Sequence, residues 1–382
     1  MFLKSLSYSE LEGTGYAWEL QGLSLGQVNL VVGKNAKGKT RTLNVITGLG
    51  KLLGAQLELQ WSSGHYDAEF SDGSDSYRYI LSIVNNAVVI EKFIKNGAVL
   101  LDRGAGGIGQ VFSQTVGKMI AFQAPETQLA AVGRRDQINH PFFEILHQWG
   151  ASLYYFEFSG NLGKDLVAIS QGDSPSVISK FDAPKDTRRV VGIFQAGVTQ
   201  FGDVFKNRVI SEFNSLGYEL ENVSIDAPAG INFPEVSGRP SWIWVKEKDL
   251  PQPIQQAHIS NGMFRALSLV IQLVYSDFAY QPSCVIIDDI GEGLDFDRSC
   301  KLIELLLAKC SNTSMQLIMA SNDRFVMNKV PLESWTVLDR KGHICNVYNY
   351  SNSKEKFDEF KFTGLNNFDF LASDFIWESS KE

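Results

Sequence analysis

The sequence predicts an α/β fold organised on a phosphate-binding loop, with an antiparallel β meander and an inserted mixed α/β segment. Three observations carry that expectation. The octapeptide G-K-N-A-K-G-K-T stands between an apolar run and a helical pattern, short alternating runs follow it, and a second apolar run, C-V-I-I-D-D, lies far along the chain.

Gly33, Lys34, Asn35, Ala36, Lys37, Gly38, Lys39 and Thr40 fit G-x-x-x-x-G-K-[ST] at every fixed position. Residues 28–32 before them read as a strand, and residues 41–53, beginning with Arg41, have the spacing of a helix. In that context the N–H groups of the turn and of the first helical turn cradle phosphates. Lys39 lies along the β and γ oxygens, and the Thr40 hydroxyl ligates Mg²⁺. The expected cofactors are therefore ATP and Mg²⁺.

Composition agrees with a globular chain. Its 382 residues make one large or two modest units, and 44% hydrophobic against 20% charged residues exclude a disordered chain. A formal net charge of −8 gives no global attraction to nucleic acid, leaving only a local basic patch for that role. Cys284, Cys300, Cys310 and Cys345 form no pair with metal-ligand spacing, so free thiols in a reducing cytoplasm are expected. The apolar stretches fall short of a signal peptide or a membrane span, so no membrane partner is expected.

From the front, residues 2–9 and 15–20 suggest a hairpin leading into the phosphate-loop strand. Residues 57–61, 65–70, 77–83, 88–93 and 99–101 are short strand candidates separated by turn residues, which predicts the meander. Residues 103–109 have loop composition. A helix is expected over 133–149, a strand over 152–158, a loop-rich interval over 160–189, a helix over 201–216 and a strand over 218–225. Pro228 and Pro234 then interrupt the pattern before 242–245 resumes it. These features divide the chain into 1–125, an insertion at 126–240, a second catalytic part at 241–350 and an aromatic-rich segment at 351–382. Heptads long enough for a coiled-coil arm are lacking.

In C-V-I-I-D-D, four apolar residues ending in two acids read as a buried parallel strand whose carboxylates emerge at its C-terminal edge. Asp288 there is placed to hold Mg²⁺ through water, and Asp289 to polarise the attacking water. Between the two stretches, H-I-S-N-G-M-F-R precedes a helix whose apolar residues fall on one face. Ser260 is a good N-cap, and Ser260 and Gly262, with Asn261 between them, leave little side chain over the first turn. The segment reads as a capped core helix or as an anion seat.

The order of phosphate loop, S-x-G at a helix start, apolar strand with D-D, then G-L-D resembles the ATPase heads of the ABC and SMC/RecF-like superfamily. That resemblance implies a head-to-head dimer in which the serine-glycine signature of one chain closes on the γ-phosphate held by the other. It covers residues 1–55 and 240–350 well and the middle poorly. By the same resemblance, residues 259–263 take the signature place with Arg265 following, Asp288 is the metal-binding acid and Asp289 the catalytic carboxylate. Gly293, Leu294 and Asp295 form the interface-crossing loop, residues 316–320 the last catalytic strand, and the switch histidine falls on Asn322. Two departures lower the expected turnover. Asp289 is one methylene shorter than the usual Glu, and Asn322 cannot exchange a proton near neutrality. Glu292, three residues on, is either a substitute carboxylate for Asp289 or a loop-surface residue. The family's metal-reaching glutamine is assigned to Gln123, with Gln110 the competitor.

Lys180, Lys185, Arg188 and Arg189 form a basic tract interrupted by Asp182 and Asp186, which favours a solvated loop over a phosphate contact. Phe357, Phe360, Phe362, Phe368, Phe370 and Phe375 either close the core or form an aromatic docking surface, the first being favoured. The leading functional reading is a slowly hydrolysing ATP switch with a separately encoded effector, as in compact heads of bacterial and phage defence modules. A RecF- or SMC-like DNA-maintenance ATPase is second and a transporter subunit third, the interval from Lys39 to Ser260 being long for a transporter head.

Overall fold

The computed structural model describes residues 1–170, 186–230, 238–279 and 282–377. In chain order the strands are β1 (Phe2–Glu10), β2 (Trp18–Ser24), β3 (Val28–Val32), β4 (Ser63–Asp72), β5 (Asp75–Val84), β6 (Ala87–Lys95), β7 (Ala98–Arg103), β8 (Ile108–Ser113), β9 (Lys118–Gln123), β10 (Leu153–Glu157), β11 (Ala168–Ser170), β12 (Leu220–Asp226), β13 (Arg239–Glu247), β14 (Ile254–Gln255), β15 (Cys284–Asp288), β16 (Gln316–Ala320), β17 (Trp335–Lys341) and β18 (Ile344–Asn349). The chain divides into two compact units: residues 1–153, 283–286 and 310–382 form one, and residues 154–282 and 287–309 the other.

The first unit is organised on the strand order β15-β16-β3-β17-β18-β2-β1-β4-β5-β6-β7-β8-β9. Its centre is parallel, with β16 and β17 flanking β3. The apolar β3, whose last four residues are buried, suits a strand covered on both faces. From β1 to β9 every neighbouring pair is antiparallel, which is the meander. It differs from the expected one at both ends. Residues 57–61 form no strand, and both ladders beside β1 are taken by β2 and β4. Trp61 instead lays its ring against Gly48 of the helix Lys39–Leu53. The hairpin β8–β9 extends the meander beyond the glycine-rich turn, where Gly106 and Gly107 both have positive φ.

The helix expected over 133–149 shrinks to Glu144–Ala151, preceded by the single turn Ala130–Gly133. The Asp136 carboxylate takes the backbone N–H groups of Ile138 (2.9 Å) and Asn139 (2.5 Å), an Asx turn that competes with helix, and Pro141 follows. A buried ion pair fastens this stretch to the meander. Glu91 and Arg103 both have fully buried side chains, 3.1 Å apart. Glu91 also accepts from Tyr79 Oη and from the N–H groups of Ala130 and Ala131, while Arg103 donates to the carbonyls of Pro125 and Gln128.

At the C-terminus the six phenylalanines divide. Phe357, Phe360 and Phe370 are buried, the first two each in ring contact with Phe370, while Phe375 contacts Phe360 and Phe370 and Trp335 also contacts Phe370. Phe362, 91% exposed, faces outward. Core closure therefore accounts for most of the segment.

The second unit holds a 4-stranded sheet in the order β11-β13-β12, with β14 also pairing β13. It also holds the helices Val190–Ser215 and Asn261–Ala279, and the end of β15 beside β10. Helix Val190–Ser215 begins before the expected residue 201 and breaks at Gly202 (φ 63°, ψ −148°). Its Phe201 and Phe205 contact Tyr275 and Phe278 of the helix Asn261–Ala279 at 5.1 to 6.2 Å between ring centroids. Of the basic tract, Arg188 pairs with Asp186 at 2.8 Å, while Lys180, Asp182 and Lys185 lie outside the described residues, as does Pro234. Among the described residues no helix is long and apolar enough to cross a membrane.

Candidate functional site

The phosphate loop joins β3 to the helix Lys39–Leu53 in the first unit. Gly38 occupies the helix N-cap at φ 104°, a conformation open to glycine, and contributes no side-chain cap to the first turn. Ala36 is also left-handed at φ 63°, a cost that the closing turn imposes on a residue with a Cβ. Lys39 is 8% exposed and donates from Nζ to the Gly33 carbonyl at 3.0 Å, folded along its own loop. Thr40 is exposed on the first helical turn. An uncapped helix start, a buried ammonium and an exposed hydroxyl fit a nucleotide phosphate with its Mg²⁺.

The loop's other cations have partners. Lys37 meets Asp339 at 2.8 Å and the Arg340 carbonyl at 3.1 Å. Lys34 meets Asp374 at 2.6 Å, and Arg41 makes two bonds to Glu10 while lying over the Trp18 ring at 4.6 Å. Arg41 is thus held as a structural contact rather than presented to a phosphate. Asn322, which follows β16, donates from Nδ2 to Asn35 Oδ1 at 3.1 Å, so the switch position and the loop tip are brought together.

Gln123 is not. It ends β9, at the opposite end of the meander from β3, and donates to the Gly106 carbonyl; Gln110, on the adjacent β8, is equally remote. The assignment of Gln123 to the metal is corrected on that ground: strands are spaced about 4.8 Å apart, and eight others along with β8 separate β9 from β3.

In the second unit the helix Asn261–Ala279 starts at an exposed serine. Ser260 is its N-cap, with Oγ accepting from Met263 N–H at 3.3 Å and its carbonyl from Phe264 N–H at 2.9 Å. Asn261 Oδ1 accepts from Lys164 Nζ at 2.6 Å. Burial and the neighbouring Arg265 lower the Lys164 ammonium below its ordinary value. Gly262 is a glycine for a local reason: a Cβ there would stand 2.2 Å from the Gly293 carbonyl oxygen. Arg265 ties three carbonyls, those of Ser159 (2.6 Å), Gly160 (3.0 Å) and Glu292 (3.2 Å), so the first turn of the helix Asn261–Ala279, the loop after β10 and the turn after β15 form one piece.

Asp288 is 2% exposed at the end of a wholly buried strand. Its carbonyl accepts from Phe158 N–H at 2.9 Å and its Oδ2 from Tyr155 Oη at 3.3 Å. Asp289, half-buried, has φ 52°. Asp enters this left-handed region more readily than Glu because its short carboxylate bonds locally, which gives a backbone reason for the missing methylene. Glu292 is exposed, its N–H bonded to the Asp289 carbonyl at 3.2 Å. Asp295 caps the helix Phe296–Ser311: its carboxylate accepts from Arg298 N–H (3.0 Å) and Nη1 (2.6 Å), and these bonds hold it below the usual carboxylate range. Sequence reasoning missed Tyr155 and Lys164, since neither lies in a motif.

No known protein family and no curated protein matches the sequence. Solved structures do resemble the fold. An SMC head bound to the C-winged helix domain of ScpA aligns with a TM-score of 0.52 at 10% identity, over 91% of this chain and 97% of that one. An SMC head with an extended coiled coil, bound to the C-terminal domain of ScpA derived from Pyrococcus furiosus, aligns at 0.50 and 10% identity, over 94% and 99%. With G-K-N-A-K-G-K-T after β3 and two acids at the end of β15, the chain has the fold of these SMC heads.

Proposed function

We propose that this chain binds ATP with Mg²⁺ on its phosphate loop, hydrolyses it slowly, and acts as a conformational switch by pairing with a second copy of itself. The observation that carries the reading is the helix start at Gly38, uncapped and flanked by the buried Lys39 ammonium and the exposed Thr40 hydroxyl. By the resemblance, Thr40 is the hydroxyl and Asp288 the acid assigned to Mg²⁺, and Asp289 is the carboxylate assigned to orient water. Mg²⁺, when bound, supplies charge neutralisation across the phosphate oxygens. Slow turnover follows from the shorter acid at 289 and from an amide at 322, which hydrogen-bonds but cannot shuttle a proton.

Ser260 and Asn261 are exposed at the start of a 19-residue helix and supply a cap oxygen and amide for the γ-phosphate of a second copy. A separate protein partner is the effector in this reading. Among the described residues the longest helix is Val190–Ser215, and it is broken at Gly202. The SMC heads of similar fold were solved with a domain of another protein, ScpA, which supports this reading. The second reading, a DNA-maintenance head, is favoured by the SMC-like fold and differs in requiring hydrolysis to rise on adding duplex DNA.

The test of shared sites is complementation. Ser260→Asp keeps an N-cap but sets a carboxylate against a phosphate, a repulsion of several kcal/mol as an order of magnitude in a partly desolvated contact. A substitution at Gly262 does not serve here, because its Cβ would stand 2.2 Å from the Gly293 carbonyl oxygen of the same chain. Mixed with Lys39→Ala chains, it leaves one intact loop facing one intact signature. Recovered ATPase activity in a mixture of two inactive variants supports the pairing. Absence of recovery, with mixed dimers seen by native mass spectrometry, overturns it.

A further inference from the structure

We propose that Tyr155 is a positioning residue for the metal-binding carboxylate Asp288, an inference that rests on the nucleotide-binding reading above. Tyr155 lies on β10, beside β15, and donates its phenol O–H to Asp288 Oδ2 at 3.3 Å. The phenol is a committed donor. A phenol has one O–H to give and a carboxylate oxygen only accepts, so the bond runs from Tyr155 to Asp288.

The strand that presents Tyr155 is itself fastened. Thr187 Oγ1 donates to the Tyr155 carbonyl at 3.1 Å. Gln272, 7% exposed in the middle of the helix Asn261–Ala279, donates from Nε2 to the Thr187 carbonyl at 2.9 Å and to Ser268 Oγ at 3.1 Å. On the other side, Phe158 N–H bonds the Asp288 carbonyl, so backbone and side chain of the acid are gripped from the same strand end. A hydrogen-bonded path thus runs from the helix that begins at Ser260, through Gln272 and Thr187, to Tyr155 and Asp288.

Chemically, one oxygen of a carboxylate held by a neutral donor has its plane fixed before a cation arrives. Partners of this kind, which touch the ligand rather than the metal, typically change metal affinity by about 10- to 100-fold. A contact of 3.3 Å belongs at the lower end of that range.

Tyr155→Phe removes the hydroxyl and little else. Nucleotide binding is followed by calorimetry while Mg²⁺ is titrated, and again in EDTA. The expected result is that the Mg²⁺ concentration at half-effect rises about 10-fold, with ATP affinity in EDTA and the thermal midpoint unchanged. A purely structural role would instead lower the EDTA affinity and the midpoint together, and that outcome overturns the proposal, as does an unchanged Mg²⁺ midpoint. Mn²⁺ in place of Mg²⁺, read by electron paramagnetic resonance, gives the same comparison without turnover. A parent protein that binds ATP with no response to either metal contradicts the metal role of Asp288 itself, and this inference with it.

Discussion

Asn322 Nδ2 lies 3.1 Å from Asn35 Oδ1, so the residue that follows β16 touches the tip of the phosphate loop through two amides and no ionisable group. Turnover should therefore show no inflection from this position near neutral pH. Asn322→Ala should lower kcat roughly 10-fold or more by removing a donor near the developing charge, with ATP affinity close to that of the parent. Asn322→His should introduce an inflection in the kcat–pH profile near about 6.5, the ordinary imidazole value. A parent profile already inflected there, and unchanged in Asn322→Ala, would place the titrating group elsewhere.

Gly262 and Gly293 approach so closely that a Cβ on the first would lie 2.2 Å from the carbonyl oxygen of the second. Gly262→Ala should destabilise the chain by about 1–3 kcal/mol, as overpacking does, through movement of the turn after β15. Urea unfolding of the parent and the variant measures this. Equal midpoints would show that the turn yields freely.

The buried pair of Glu91 and Arg103 fastens residues 125–131 to the meander, with both charges satisfied by carbonyls, N–H groups and the Tyr79 hydroxyl. Glu91→Ala leaves a guanidinium buried without its counter-charge, which costs about 3–5 kcal/mol. The expected outcome is loss of cooperative unfolding at ordinary temperature. A loss below about 1 kcal/mol would mean that water reaches Arg103.

All four cysteines are free and buried. Burial pushes the thiols of Cys310 and Cys345 up to about 12 and about 11, and raises that of Cys284 as well. Because the thiolate is the reactive form, a disulfide reagent at pH 8 should react slowly with the native chain and rapidly with all four thiols in denaturant. Rapid reaction of one native thiol would reveal an opening at that site.

Elements whose residues carry their own instructions were legible from sequence. The strand β3, the loop to Thr40, the helix behind it, Ser260 as a cap and the buried β15 ending in Asp288 all follow from periodicity, glycine placement and the need to satisfy a helix start. What sequence could not supply was pairing. Residues 57–61 alternate like a strand yet pair with none, Gln123 ends an apolar run yet stands at the wrong end of the sheet, and Arg41 adjoins the loop yet answers to Glu10. Tyr155 was invisible for the same reason: its importance comes from the strand beside it, not from its neighbours in sequence.

The most direct test of nucleotide binding at the phosphate loop is calorimetric titration of Mg²⁺·ATP into the parent chain and into Lys39→Ala, with circular dichroism to show that both are folded. Lys39 supplies the buried ammonium at the loop, so the parent should bind and the variant should lose at least about 10-fold in affinity while keeping its secondary structure. Equal binding by a folded Lys39→Ala chain would contradict the assignment of the loop.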